Sequence, residues 1–176
     1  MDDPFFRRSL ILVLEHSDQG TYGVIVNRPT DLTVQEVLEG LKIDWRGDAD
    51  EPTFFGGPVQ PERGAILVNE TDQEPLSETF VTIGEGVLMT QNSSDLELLA
   101  EDPPSAFRLV LGCAGWDADQ LVEEFGRHDW IALPCQPDLI FSKDMFDTWK
   151  TALLRAGIQP HAIPPVTQPS SDPMAN

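Results

Sequence analysis

Apolar residues in this chain fall into short runs that alternate with polar, Gly- or Pro-containing breaks. Residues 9–15 and 21–27 are aliphatic and β-branched, and the polar stretch between them predicts a hairpin. Pro29 ends the second run. Residues 107–113 are almost continuously apolar, which predicts a central strand buried on both faces. Shorter runs predict further strands at 53–55, 64–68, 80–83, 87–90 and 130–133.

Between these runs, several segments carry apolar residues at helical spacing. Thr33 and Glu36 form a capping-box pattern at the start of one such segment, which ends near Gly40. Another helix is predicted to start among residues 92–95 and to end before Pro103-Pro104, and two more are predicted near residues 120–127 and 144–154. Because several strands are joined by short hairpins, the pattern favours an α+β fold with a mixed, largely antiparallel sheet over a doubly wound one.

The length of 176 residues suits one domain. Prolines recur among polar residues from residue 160 onward, a composition that does not support a packed core. We therefore predict a single domain over residues 1–159 and a Pro-rich disordered tail over residues 160–176.

The chain is strongly acidic, with 30 acidic and 11 basic residues and a formal net charge of −19. Such a field repels phosphate backbones and anionic lipid surfaces, so direct nucleic-acid binding and membrane-surface binding are both disfavoured. We interpret most of the acidic residues as a solvated surface.

Cysteine usage and hydropathy predict a cytoplasmic protein without a metal or cofactor. Cys113 and Cys135 form no CxxC motif and no Cys–His metal spacing. The acidic loop at residues 44–51 lacks the central Gly and terminal Glu of a calcium loop. The longest apolar run, residues 10–14, is far too short to span a bilayer, and no secretory signal precedes it.

Three segments place Gly or Pro beside one large or polar side chain, directly after an apolar run. They are Val26-Asn27-Arg28-Pro29, Phe55-Gly56-Gly57-Pro58-Val59, and Leu111-Gly112-Cys113-Ala114-Gly115-Trp116 followed by Gln120-Leu121. In this order and spacing the chain resembles the AlgH/YqgE-like bacterial proteins from about residue 2 to residue 160. The resemblance implies a bifurcated, barrel-like sheet flanked by helices, and a possible regulatory role. It brings no established catalytic residues.

The chain departs from the family pattern in three places. Members commonly begin with an additional apolar strand ahead of the segment that here reads Met1-Asp2-Asp3-Pro4-Phe5-Phe6. Absence of such a strand would leave a sheet edge unpaired. Cys113 stands where the family often has Tyr, and Val68 where it often has His.

The Gly-Pro segments also give the candidate binding residues. Gly56-Gly57 could let backbone approach a ligand closely, with Arg28 and Arg63 supplying positive charge, although Pro58 lacks the amide donor that an anion would use. A structural turn is the competing interpretation, and for Trp116 a core position is favoured. The predicted ligand- or partner-binding set is Asn27, Arg28, Gly56, Gly57, Pro58, Arg63, Gly115 and Trp116.

These observations favour a non-enzymatic protein that binds an unknown protein partner or a small anion. One alternative is a hydrolase that uses Cys113, which precedes a helix, or a histidine; a packing thiol is the competing interpretation of Cys113. A His16–Asn27 dyad is not expected, because the predicted register separates the two by roughly 16 Å. The other alternative, a transcriptional regulator that contacts DNA directly, is disfavoured by the charge.

Overall fold

The computed structural model describes residues 3–70 and 77–162. Its strands are β1 (Ile11–Ser17), β2 (Gly20–Ile25), β3 (Pro29–Thr33), β4 (Pro52–Phe55), β5 (Val59–Asn69), β6 (Val81–Thr82), β7 (Val87–Thr90) and β8 (Phe107–Trp116). Its helices are α1 (Val34–Gly40), α2 (Asp95–Glu101), α3 (Gln120–Gly126), α4 (Pro137–Ile140) and α5 (Met145–Arg155), followed by a 3₁₀ turn at Pro160–Ala162.

The sheet divides at β8. Along the main path the strand order is β1-β2-β8-β5-β7-β6, and β4 joins β8 from the side and pairs with β3. The first half of β8 runs parallel to β4, with Val110 opposite Phe54, and antiparallel to β5. Its last residues pair with β2, with Ala114 opposite Gly23. Among the strand pairs of the described residues only β4–β8 is parallel, so the predicted α+β fold with a largely antiparallel, bifurcated sheet is confirmed.

Both faces of the sheet are buried. Successive residues of a strand point to opposite faces, and in β8 Val110 packs into one apolar cluster while Leu109 packs into the other. The same alternation occurs at Leu67 and Ile66 of β5. The first cluster includes Ile140 of α4, and the second includes residues of α1 and α2. β8 is therefore the central, doubly buried strand that its apolar run predicts.

Glycines permit the division of the sheet because two backbones cross there in contact. Gly57 has φ +147°, and a Cβ built on it would lie 2.3 Å from the carbonyl of Cys113. Gly112 has φ +76°, and its Cβ would lie 2.4 Å from the Gly57 carbonyl oxygen. Gly56 bridges the strands on either side, since its N–H donates to Leu111 and its carbonyl accepts from Ile25. No side chain fits at this crossing.

Local sequence patterns predicted most of the helices and strands correctly. Thr33 and Glu36 form both hydrogen bonds of a capping box at the start of α1. The expected strand at 130–133 is wrong, because those residues have no ladder partner and run as irregular backbone. Strand β3 and helix α4 were not expected. The structured chain continues through Ala162, and residues 163–176 of the predicted tail lie outside the described residues.

The register of the first hairpin also differs from the expected one. His16 lies opposite Thr21, and its Nδ1 lies 2.6 Å from the Thr21 hydroxyl oxygen. A bulge between Val13 and Glu15 then shifts the pairing so that Ile11 lies opposite Ile25. The turn is shorter than the sequence suggested, and the bulge adds a residue to one strand.

Candidate functional site

Asn27 fastens the segment that precedes β1. Its side-chain oxygen accepts from the Leu10 N–H at 2.7 Å, and its amide nitrogen donates to the Arg8 carbonyl at 3.0 Å. These two bonds fix residues 3–9 against the start of the hairpin. The Asn27 side chain thus bonds to main-chain groups 17 and 19 positions earlier in the chain.

Arg28 holds the same segment. Its guanidinium donates to the carbonyls of Pro4 at 3.3 Å and Arg7 at 3.2 Å, and to the Ser9 hydroxyl at 3.4 Å. It also lies 5.9 Å from the ring centroid of Phe55. Partial burial, aided by the nearby charge of Arg7, lowers the pKa of Arg28. Its donors are directed at this turn, which supports a structural role; an anion at Arg28 would compete with these carbonyls.

The remaining predicted residues lie near the glycine crossing, where Gly56 and Gly57 are buried against the backbone of β8 and present no surface to a ligand. Pro58 is exposed, and Arg63 is exposed and donates to the Gln60 side chain at 3.0 Å. Gly115 lies opposite Tyr22 and has open space where a Cβ would be. Arg63 and Gly56-Gly57 therefore lie on the Cys113 side of the crossing. Arg28 instead donates to residues 3–9, which we call the N-terminal turn.

Cys113 is half-buried and packs against the first apolar cluster. Burial raises the pKa of its thiol, and the charge of Arg63 opposes this only in part. The hydrogen bonds of His16 and His128 go to Thr21 and Phe125. A thiol nucleophile needs a lowered pKa or an adjacent base, so this geometry favours the packing interpretation.

Trp116 is buried, as expected, and ends β8 in a polar–aromatic cluster around Glu124 of α3. Glu124 is 7% exposed, and its Oε2 accepts from the indole N–H of Trp116 at 2.9 Å and of Trp130 at 2.6 Å. Its Oε1 accepts from Gln120 at 2.9 Å. Burial alone would raise the pKa of Glu124, but these hydrogen bonds outweigh it and hold the pKa below its usual value. Phe6 of the N-terminal turn packs on both indoles.

The outer edge of β1 lies beside this cluster. Val26 donates to the Leu10 carbonyl at 2.9 Å, and Leu12 lies opposite Val24. In an antiparallel ladder the hydrogen-bonding direction alternates along the strand. Since Leu10 and Leu12 face β2, the N–H and C=O groups of Ile11 and Val13 face outward. No hydrogen bond from another described residue reaches these groups on that side.

An apolar cavity of about 300 Å³ adjoins this edge. It lies between β1 and the irregular segment 130–136, with Leu139 and Ile140 of α4 also lining it. Three large apolar side chains at its rim are exposed: Val13 by 44%, Phe125 by 38% and Ile131 by 44%. We call the outward edge of β1 together with this cavity the edge groove. Exposed apolar side chains gathered at one cavity are typical of binding surfaces.

None of the edge-groove residues except Trp116 belongs to the predicted binding set. The signal that could have identified them was the apolar run at 130–133, which has strand-forming composition but no strand to pair with. The sequence showed that β1 and residues 130–133 are both apolar, but not that a cavity separates them.

Residues 3–70 and 77–162 contain neither a candidate membrane-spanning helix nor a candidate metal cluster. No helix there is sufficiently long and apolar to cross a bilayer. No group of three or more His, Cys, Asp or Glu side chains is arranged to hold a metal ion.

Comparison with known proteins gives consistent matches. The model of the AlgH-like family matches residues 1–161. A UPF0301 protein of Anaeromyxobacter dehalogenans (strain 2CP-1) is 42% identical over 166 residues, covering 90% of this chain and 83% of that protein. A UPF0301 protein of Xanthomonas campestris pv. campestris (strain B100) is 37% identical over 161 residues, covering 90% and 84%.

Two solved structures share the fold. The solution structure of the AlgH protein from Pseudomonas aeruginosa matches with a TM-score of 0.73 and 31% identity, covering 90% of this chain and 84% of that one. A crystal structure of a Corynebacterium diphtheriae protein matches with a TM-score of 0.72 and 23% identity, covering 88% and 81%. The second likeness concerns the fold alone.

Proposed function

The chain belongs to the AlgH-like family, and from that premise we propose that it is a non-enzymatic cytoplasmic protein that binds a protein partner through the edge groove. The observation that supports this most directly is the outward row of backbone donors and acceptors at Ile11 and Val13, with an apolar cavity beside it. A strand added to an exposed edge gains main-chain hydrogen bonds, while pockets for alternate side chains give specificity. Any regulatory role would follow from occupancy of this groove.

Charge favours a basic partner. The net charge of −19 attracts cationic segments and repels anionic ones. Glu15 on β1 is an exposed acidic residue on a strand that lines the groove, whereas Asp138 on α4 is exposed but already paired with Arg155. We therefore propose an extended segment with alternating aliphatic residues and flanking lysine or arginine.

In this proposal the residues that the sequence emphasised support the groove. Asn27 and Arg28 fix the turn that carries Phe6, and Phe6 in turn packs on Trp116 and Trp130 at the groove wall. The hydrolase alternative draws no support from Cys113, whose pKa is raised by burial. Direct DNA binding remains disfavoured by the charge.

A designed peptide tests the proposal directly. The probe is a seven-residue peptide with alternating valine and threonine between terminal lysines, and binding is followed by fluorescence anisotropy. We expect saturable binding with increased hydrogen-exchange protection of the Ile11 and Val13 amides. The control peptide carries N-methyl groups on the amides that would face β1, and it should not bind.

A matched pair of variants tests the same edge from the protein side. Val13→Pro removes an outward N–H without removing a bond to β2, whereas Val13→Thr keeps the shape and the N–H. Only the proline variant should lose the peptide. Equal binding of the methylated and unmethylated peptides, or protection elsewhere than at β1, would contradict strand addition.

A further inference from the structure

The wall of the edge groove opposite β1 also consists of backbone without hydrogen-bond partners. Within the described ranges, no hydrogen bond involves a main-chain N–H or C=O group of Ile131, Ala132 or Leu133. Ile131 and Ala132 are exposed and Leu133 is half-buried. Residues 131–133 line the same cavity as β1. The groove therefore has unpaired main-chain groups on both of its walls.

The opposite wall has the composition of a strand and needs only a neighbour. Trp130 and Ile131 are of the aromatic and β-branched types that are enriched in strands. Pro134 disfavours helical backbone for the residue before it. The indole bond from Trp130 to Glu124 fixes one end of the segment. A strand placed at ladder distance, about 4.7–4.9 Å, would complete the pairing that residues 131–133 lack.

We propose that the partner segment inserts between β1 and residues 131–133 and forms hydrogen bonds along both of its edges. This inference rests on the proposed function and specifies how that partner is held. In a strand, the N–H and C=O groups of successive residues point alternately to the two edges. A segment that pairs with β1 alone uses every second residue, whereas an inserted segment uses every residue.

Insertion also restricts the kind of partner. A strand that already belongs to a sheet has at most one free edge, so it cannot pair on both sides. This excludes β1 of a second copy, whose inner edge pairs with its own β2, and two chains of formal charge −19 also repel each other. The partner is therefore a segment that is unpaired in its own protein, such as a terminal tail or a flexible loop, with lysine or arginine beside its apolar residues.

The two faces of β1 predict the side chains of the inserted segment. Leu12 is 8% exposed and belongs to the first apolar cluster, whereas Val13 is 44% exposed. Side chains beside Leu12 therefore point into the cavity, which Leu139 and Ile140 also line, and should be aliphatic. Side chains beside Val13 lie at the rim, where threonine is tolerated.

The test uses the wild-type protein and the lysine-flanked valine–threonine peptide, with amide hydrogen exchange followed residue by residue by NMR. We expect at least tenfold slower exchange at Ile11 and Val13 and also at amides within residues 131–133. Protection at Ile11 and Val13 alone would overturn the inference and leave the proposed function intact. Protection on neither wall, or at residues 131–133 alone, would overturn both.

A second N-methylated peptide separates pairing on one edge from pairing on two. It carries methyl groups on the alternate amides that would face residues 131–133, and it leaves those that would face β1 unmodified. Insertion predicts that this peptide binds at least tenfold more weakly than the unmodified one, a difference of about 1.4 kcal/mol. Equal binding of the two would show that only β1 is used and would overturn the inference.

Two proline variants test the same wall from the protein side. Ile131→Pro and Ala132→Pro each remove one N–H, and neither removes a hydrogen bond between described residues. Because neighbouring residues of a strand direct their N–H groups to opposite edges, one variant should bind the peptide at least tenfold more weakly and the other should bind it like wild type. The matched controls Ile131→Val and Ala132→Ser keep the N–H and should bind normally. Loss of binding in both proline variants, or in neither, would overturn a ladder on this wall.

Discussion

Replacing Glu124 with alanine removes the acceptor that two indole N–H groups, one buried and one half-buried, share among the described residues. Trp116 is 7% exposed and loses its acceptor without access to water, whereas Trp130 is half-buried and regains part of its hydration. Gln120 is exposed and can bond to water. At about 1–3 kcal/mol for each buried unpaired donor, we expect the free energy of unfolding to fall by about 2–4 kcal/mol.

The assay is urea unfolding followed by far-UV circular dichroism, because tryptophan fluorescence would respond to the substitution itself. Glu123→Ala is the matched control, since Glu123 is its exposed neighbour in the same helix and a surface change usually costs less than about 0.5 kcal/mol. Glu124→Gln keeps one carbonyl acceptor and should fall between the two. If Glu124→Ala and Glu123→Ala lost equal stability at unchanged m-value, the cluster would not stabilise the fold as argued.

Other predictions follow from the same contacts. Because the pKa of Glu124 is lowered in the folded state, its contribution is complete above its usual value of about 4.5 and is lost as pH falls through the folded pKa. The difference in urea midpoint between wild type and Glu124→Ala should therefore shrink as pH falls below 4.5. Gly57→Ala should cost at least about 2 kcal/mol, while Gly115→Ala should change the unfolding free energy by less than about 0.5 kcal/mol, because only the first meets backbone. Arg28→Ala should release residues 3–9, visible as faster amide exchange and new protease cleavage there, and unchanged exchange would refute its role as a fastener.

Local chemistry explains what the sequence could predict. The capping box at Thr33 and Glu36 depends on residues three apart, and the two buried faces of β8 follow from its nearly continuous apolar run. Such features need no knowledge of distant partners. The division of the sheet does depend on distant partners, because the backbone contact that permits it joins Gly57 to Gly112, 55 positions later in the chain. Here only the family resemblance anticipated the bifurcated sheet.

The irregular course of residues 130–133 has a similar cause. Their composition is that of a strand, but a strand also requires a neighbour at ladder distance. Trp130 is instead held by its indole bond to Glu124, and Ile131 lines the edge groove. Composition predicted the apolar contact correctly and the conformation wrongly, because a cavity separates this segment from β1.

Arg28 and Arg108, which lie beside β4, show why the turn context of an arginine was a poor guide to its unpaired donors. Phe54 and Phe55 are neighbours on one strand and point to opposite faces, and each is covered by an arginine, Arg108 and Arg28 respectively. Both arginines also donate to main-chain carbonyls. Arg28, which lies within a conspicuous motif, has three protein acceptors. Arg108 interrupts an apolar strand and keeps a buried Nε without an acceptor, so a charge inside a run predicted to be buried on both faces was the stronger signal.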